Sequence, residues 1–348
     1  MRQIMASRFM LALLMPGLSS AGSQSVRLAN GVQMPTVGLG TWEFNNTEVT
    51  GVVKAALAAG FRHIDSAHNY DNQEGIGAGL AASGKRRDEV FITSKVPGCG
   101  IQGLGKDDCF GNTMKFIAED IRLLSSSGFP LKYLDLLLIH FPPCMEGEAP
   151  FAPNPFATPC RAKRNGCTDP DNCRAIAEQW RAMELVYQQG LVRAIGVSDY
   201  CSACFKCLGA NATVMPMLNN VQFHIGMGPD PQGALSLAER RGMVLMAWSP
   251  LGHGGRGETP IFSRALPMQI GKAHGKSGAQ VSLKWILSHN VTLTTKSGDP
   301  KHLAEDIDLF DWELTAAEVA ALDADQFAHS EYDTPSFMCN DPDNEIVV

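Results

Sequence analysis

The sequence predicts an α/β protein, a (β/α)8 TIM barrel, on three observations. From residue 26 onward, short β-rich runs alternate with helix-like stretches. With "TVGLGT" counted as the first, the runs number eight. No early strand is followed by the Gly-x-Gly-x-x-Gly turn of an open dinucleotide-binding sheet. A chain of 348 residues, 45% of them hydrophobic, can bury a sizeable core, and no Pro/Gly/Ser-rich linker splits it into comparable halves.

Residues 1–25 stand apart. They carry Arg2 and Arg8, the apolar run Phe9 to Met15 and then small residues, and the first acidic residue of the chain is Glu43. This pattern reads as a cleaved secretory or organelle leader, or else as a disordered or packed N-terminal arm. The apolar run is too short to span a bilayer. Asn30-Gly31, flanked by apolar residues, signals a β-hairpin ahead of the first barrel strand.

The strands then follow as "TVGLGT", "FRHIDSA", "VFITSKV", "LDLLLIHF", "RAIGVSD", "LNNVQFH", "VLMAWSP" and "VTLTTKS". Helical periodicity marks 47–58, 113–127, 175–189, 232–241 and 267–288. "GIGAGL" lies in a helix after the second strand, where its glycines are expected to let that helix pack closely on the sheet.

A formal charge of −7 without a basic stripe argues against nucleic acid as a partner. Ten cysteines are many for a cytosolic enzyme. Cys99, Cys109, Cys144, Cys160, Cys167 and Cys173 fall in segments that read as loops, where disulfides in an oxidising compartment are expected, with pairing left open. Zinc is the alternative, without a matched ligand doublet to support it. Cys201, Cys204 and Cys207 stand at helical spacing and read as small hydrophobes facing a core.

In such a barrel the carboxyl ends of the strands meet at one mouth. Those ends carry Asp65, Lys95, His140, Ser198, Asn220, Trp248 and Lys296. Each alone is ordinary: an Asp after a strand caps or turns, and a Lys there is a solvated charge. Together, with Tyr70 close behind Asp65, they suit proton transfer. A phenol with an unperturbed pKa of about 10 is a poor acid at neutral pH. Lys95 is expected to bring that value down, Asp65 to hold Lys95 by an ion pair, and His140 to orient a substrate oxygen. Such a set protonates an alkoxide, and the hydride must then come from a cofactor.

These blocks resemble the aldo-keto reductase family from about residue 26 to 325. "GFRHIDSAHNYDNQEGIGAGL" is similar to its signature around a catalytic Asp and Tyr. "FITSKV" and "YLDLLLIHFP" are similar to the strands of its Lys and His. "QWRAMELVYQQGLVRAIGVSD", "NNVQFH", "AWSPLG" and "TTKSGDP" follow in the family's order. The resemblance implies a barrel closed at its base by the N-terminal hairpin and a tail, residues 326–348, over the mouth. It also implies hydride transfer from NADPH, with NADH as an alternative, to a small-molecule carbonyl. The catalytic tetrad would be Asp65, Tyr70, Lys95 and His140.

For the cofactor, the resemblance implies Thr41 and Trp42 near the nicotinamide and Ser198, Asp199 and Asn220 on the carboxamide. Trp248 would stack on the ring, Ser249 and Leu251 would meet the pyrophosphate, and Lys296 and Ser297 would hold the 2′-phosphate. His302, Glu305 and Asp306 would complete the adenosine end. A monomer in the cytoplasm, with no membrane span, is the family expectation, whereas the leader and the cysteines point to the secretory pathway or an organelle. A nucleotide-binding regulatory or structural relative with little turnover is the alternative function.

Several positions depart from the family pattern. Asp199 and Asp306 stand where Asn is usual, His302 where Arg is common, Trp248 where Tyr is common, and Gln73 where Glu is usual. Asp306 is expected to add a like charge beside the phosphate. The loops that shape the pocket, 141–174 and 249–265, together with the tail 327–348, leave substrate identity open. Phe141, Phe151, Phe156 and Phe337 are candidates for an apolar wall or for packing the loop on itself.

Overall fold

The computed structural model describes residues 24–100, 105–143, 167, 169–209, 212–252 and 259–326. All eight β-rich runs become strands: β3 (Val37–Gly40), β4 (His63–Asp65), β5 (Phe91–Val96), β6 (Leu136–Ile139), β7 (Ile195–Ser198), β8 (Leu218–Gln222), β9 (Val244–Trp248) and β10 (Thr292–Thr295). They form one closed parallel barrel in sequence order. Pairing of β10 with β3, Leu293 opposite Val37, closes the ring. The first two strands, β1 (Ser25–Arg27) and β2 (Gln33–Pro35), make the expected antiparallel hairpin. At its turn Gly31 has φ +90°, which glycine adopts without a Cβ clash. Leu28 and Met34 from the hairpin pack on Phe91, Leu136, Met217 and Leu218, at the N-terminal starts of barrel strands, and so close the base.

Helices α1 (Asn46–Ala59), α2 (Gln73–Ala82), α3 (Cys109–Ser125), α4 (Pro170–Gln188), α5 (Ser202–Gly209) and α6 (Ala234–Arg241) fill the crossovers. The stretch 267–288, expected as one helix, is two: α7 (Ala265–His274) and α8 (Gly278–Ser288). Gly275 at φ +66° ends the first, and Ser277 opens the second in a capping box with Gln280. Two further helices, α9 (Pro300–Ile307) and α10 (Ala316–Ala324), follow β10 and were not marked by periodicity. The glycines of α2 do permit close approach, but to helices and not to the sheet. A Cβ at Gly75 would collide with the α1 backbone at Asn46, and one at Gly77 with the α3 backbone at Leu124.

Cysteine pairing corrects one expectation. Cys204 and Cys207 lie on a buried helix face as predicted, yet Cys204 is bonded to Cys167 and Cys207 to Cys173; Cys99 is bonded to Cys109. Cys201 is disulfide-bonded as well. The Cys167, Cys201 and Cys204 sulfurs lie together, but their disulfides remove the thiolates that zinc would need. Bonds closing separations of 37 and 34 residues tie the start of α4 to α5, each worth about 4 kcal/mol in the chain-entropy model. No described helix is long and apolar enough to cross a membrane. Residues 1–23 of the segment expected as a leader or an N-terminal arm, Cys144, Cys160, Phe151, Phe156, and residues 327–348 with Phe337 lie outside the described residues.

Candidate active site

The strand ends enclose a cavity of about 330 Å3 at the carboxyl end of the barrel. It is lined by fourteen of the residues read from sequence: Thr41, Trp42, Asp65, Tyr70, Lys95, His140, Phe141, Ser198, Asp199, Asn220, Trp248, Ser249, Leu251 and Lys296. At its floor the Lys95 ammonium donates to Asp65 Oδ2 at 2.6 Å and to the Ser66 carbonyl at 3.1 Å, both side chains being buried. Thr41 is spent on structure. Its backbone N–H and hydroxyl both donate to the Asp65 carbonyl, which fixes the end of β4.

Tyr70 ends a 3-10 turn, His68–Tyr70, that leaves it half-buried. Lys95 Nζ lies 5.4 Å from its ring centroid, and the His140 ring stands 5.7 Å away and nearly perpendicular. Asn69, which the sequence reading missed, meets His140 Nδ1 through its Oδ1 at 2.9 Å and so sets the imidazole plane. Beneath the turn, buried Asp120 of α3 binds His68 Nδ1 at 2.8 Å and accepts from Ser94. The Gln73 amide donates to the carbonyls of Ala67 and His68. The Gln73 side chain, with Asp120 as its third partner, therefore anchors the turn that carries Tyr70.

Burial lowers the proton affinity of the Lys95 ammonium, yet Asp65 and Tyr70 more than offset this, so its pKa is raised and it stays charged. For Tyr70 the expectation of a lowered pKa is overturned. Burial outweighs the opposing ammonium, and the phenol is held above its ordinary value. Burial and Lys95 together hold His140 well below the usual histidine range, so it is neutral at pH 7.

Across the cavity, Asp199 sits in the left-handed region at φ +57°, a conformation that Asp and Asn tolerate better than most residues. Its Oδ2 accepts from the Ser198 hydroxyl and its Oδ1 from the Trp248 indole N–H, each at 3.1 Å. Burial pushes its carboxyl up to about 7 against these bonds and the charge of Lys95. Beside it, Asn220 Oδ1 is buried with no hydrogen-bond partner.

At the rim Lys296 pairs with Glu43 at 2.7 Å, a residue that the sequence singled out only as the first acidic one of the chain. Ser297, His302, Glu305 and Asp306 do not line the cavity. The Ser297 hydroxyl accepts from the Asp299 N–H in the turn before α9, His302 is exposed, and Glu305 lies 3.7 Å from Lys301. Asp306 departs from the like-charge expectation. It is 4% exposed, accepts from the Thr295 hydroxyl at 3.0 Å, and burial pushes it up to about 6.

Residues 36–325 match the model of the aldo/keto reductase family. The chain belongs to that family. Among its relatives, a glyoxal reductase of Bacillus subtilis is 34% identical, covering 86% of this chain and 92% of its own. A morphine 6-dehydrogenase of Pseudomonas putida is 31% identical over 86% and 90%. The crystal structure of a Bombyx mori aldo-keto reductase in complex with NADP superposes with a TM-score of 0.70 at 28% identity, covering 90% of this chain and 95% of that one.

Proposed function

We propose that the chain reduces an aldehyde or ketone to an alcohol with NADPH as hydride donor and Tyr70 as general acid. The observation that carries this reading is the buried Asp65–Lys95 ion pair set against Tyr70 and a neutral His140 around one cavity. The cavity wall also suits a nicotinamide. The unpartnered Asn220 Oδ1 is an acceptor for an amide N–H, and the half-buried Trp248 indole beside it offers an apolar face. Ser198, Asp199 and Asn220 would hold the carboxamide, and Lys296 the adenosine phosphate.

A bound dinucleotide supplies the hydride. The chain's own residues manage the proton. Tyr70 keeps its proton in the resting site, because burial raises its pKa. An alkoxide oxygen is a far stronger base than water and takes that proton, whereupon Lys95 stabilises the phenolate and Asp65 keeps Lys95 in place. A neutral His140 contacts the substrate oxygen without competing as an acid. The described disulfides support an oxidising compartment, and a thiol count on unreduced protein checks this. With NADPH and a panel of reactive aldehydes, the purified protein should consume the cofactor's nicotinamide absorbance. Tight nucleotide binding with no consumption across the panel would instead make it a non-catalytic relative.

A further inference from the structure

Asp199 differs from the other charged groups at the mouth in having no counter-ion. Among the described residues no cation lies within ion-pair distance of it, and Lys95 is committed to Asp65 at 2.6 Å. Two neutral donors, the Ser198 hydroxyl and the Trp248 indole, are all that its carboxyl oxygens receive. It lines the same cavity wall as Trp248 and the unpartnered Asn220 Oδ1, and the Trp248 indole is hydrogen-bonded directly to it.

We infer that Asp199 makes the site discriminate between the two redox forms of the nicotinamide: as a carboxylate it favours the cationic oxidised ring, and as a neutral acid it loses that preference. This rests on the nucleotide-binding reading above. The physical ground is that the oxidised ring carries a positive charge which the reduced ring lacks, so an uncompensated carboxylate on the wall attracts one form only. A neutral carboxylic acid, by contrast, presents one O–H donor and one carbonyl acceptor, as an Asn amide presents a donor and an acceptor.

Burial brings the switch between these states near neutrality, at about 7. Lys95, Tyr70 and His140, which share the cavity with Asp199, do not titrate in that range. Lys95 stays cationic and locked to Asp65, Tyr70 stays a phenol, and His140 stays neutral. Asp306, near 6, lies on α9, accepts from Thr295 of β10 and lines no part of the cavity.

Tryptophan quenching titrations of the full chain with NADPH and with NADP+, at pH 5.5, 7 and 8.5, test the inference without turnover. Taking the ratio of the two dissociation constants cancels titration of the nucleotide phosphates, which both forms share. The ratio Kd(NADPH)/Kd(NADP+) should rise about tenfold from the lowest to the highest pH, the scale of a charge pair in a partly screened site. In Asp199→Asn it should stay flat. A flat ratio in the wild-type protein, or an undiminished rise in Asp199→Asn, overturns the inference while leaving the reductase reading intact. Failure to bind either nucleotide at every pH overturns the reductase reading and the inference together.

Discussion

On the side of the mouth built by β4, β5 and β6, buried charges meet opposite charges: Lys95 meets Asp65, and below the Tyr70 turn Asp120 meets His68. On the side built by β7 to β10, the carboxyl of Asp199 at the mouth and that of Asp306 on α9, behind the cavity lining, are buried and meet only neutral donors. The first side is organised in advance of any ligand, since its charges are held at fixed positions by one another. The second is a set of polar atoms at raised energy, and a ligand or a proton relieves it. The residues proposed for proton transfer are thus positioned before anything binds, and the uncompensated carboxyls lie on the other side.

Breaking the first side should have the largest consequence. Tyr70→Phe removes the proposed acid and no nucleotide contact, so kcat should fall about 10³-fold with nucleotide affinity unchanged, as measured by steady-state kinetics and by binding titration. Asp65→Asn leaves Lys95 as an uncompensated buried charge. It should cost about 3–5 kcal/mol in chemical denaturation and shift the alkaline limb of the pH–rate profile, because the lysine loses the partner that keeps it protonated.

Breaking the second side should do the reverse and stabilise. The Asp306 carboxyl titrates at 3.8 when unfolded and at about 6 when folded, so its contribution is fully present below pH 4 and is lost as pH rises through 6. Asp306→Asn escapes that loss. The variant should match the wild type at pH 4 and exceed it by about 2–3 kcal/mol at pH 8, checked by denaturation at both pH values.

The strands, and the gathering of Asp65, Tyr70, Lys95 and His140 at one cavity, were legible for one reason: an apolar β run that ends on a titratable residue is a local pattern, and a parallel barrel converts it into a shared mouth. Features depending on what lies across space were not legible. The break between α7 and α8 is the exception, because Gly275 and the Ser277–Gln280 box are visible in the sequence and were overridden by a continuous apolar period. Helical spacing placed Cys204 and Cys207 on a buried face but carried nothing about Cys167 and Cys173 as their partners. The sign of the Tyr70 shift went wrong because a neighbouring ammonium can be inferred from sequence and the degree of burial opposing it cannot. Asp306 and Asn69 needed coordinates for the same reason: their meaning is the Thr295 hydroxyl and the His140 ring.

The pair between Glu43 and Lys296 has its own consequence. Glu43 follows the first barrel strand and Lys296 the last, so the contact at 2.7 Å spans the seam where the ring of strands closes. Any anion approaching Lys296 meets a tethered rival whose local concentration never dilutes. With 36% and 55% of the two side chains exposed, that rival is worth no more than about 1 kcal/mol. An anion binding Lys296 would have to displace a partner worth at most that much, and added salt weakens the contest.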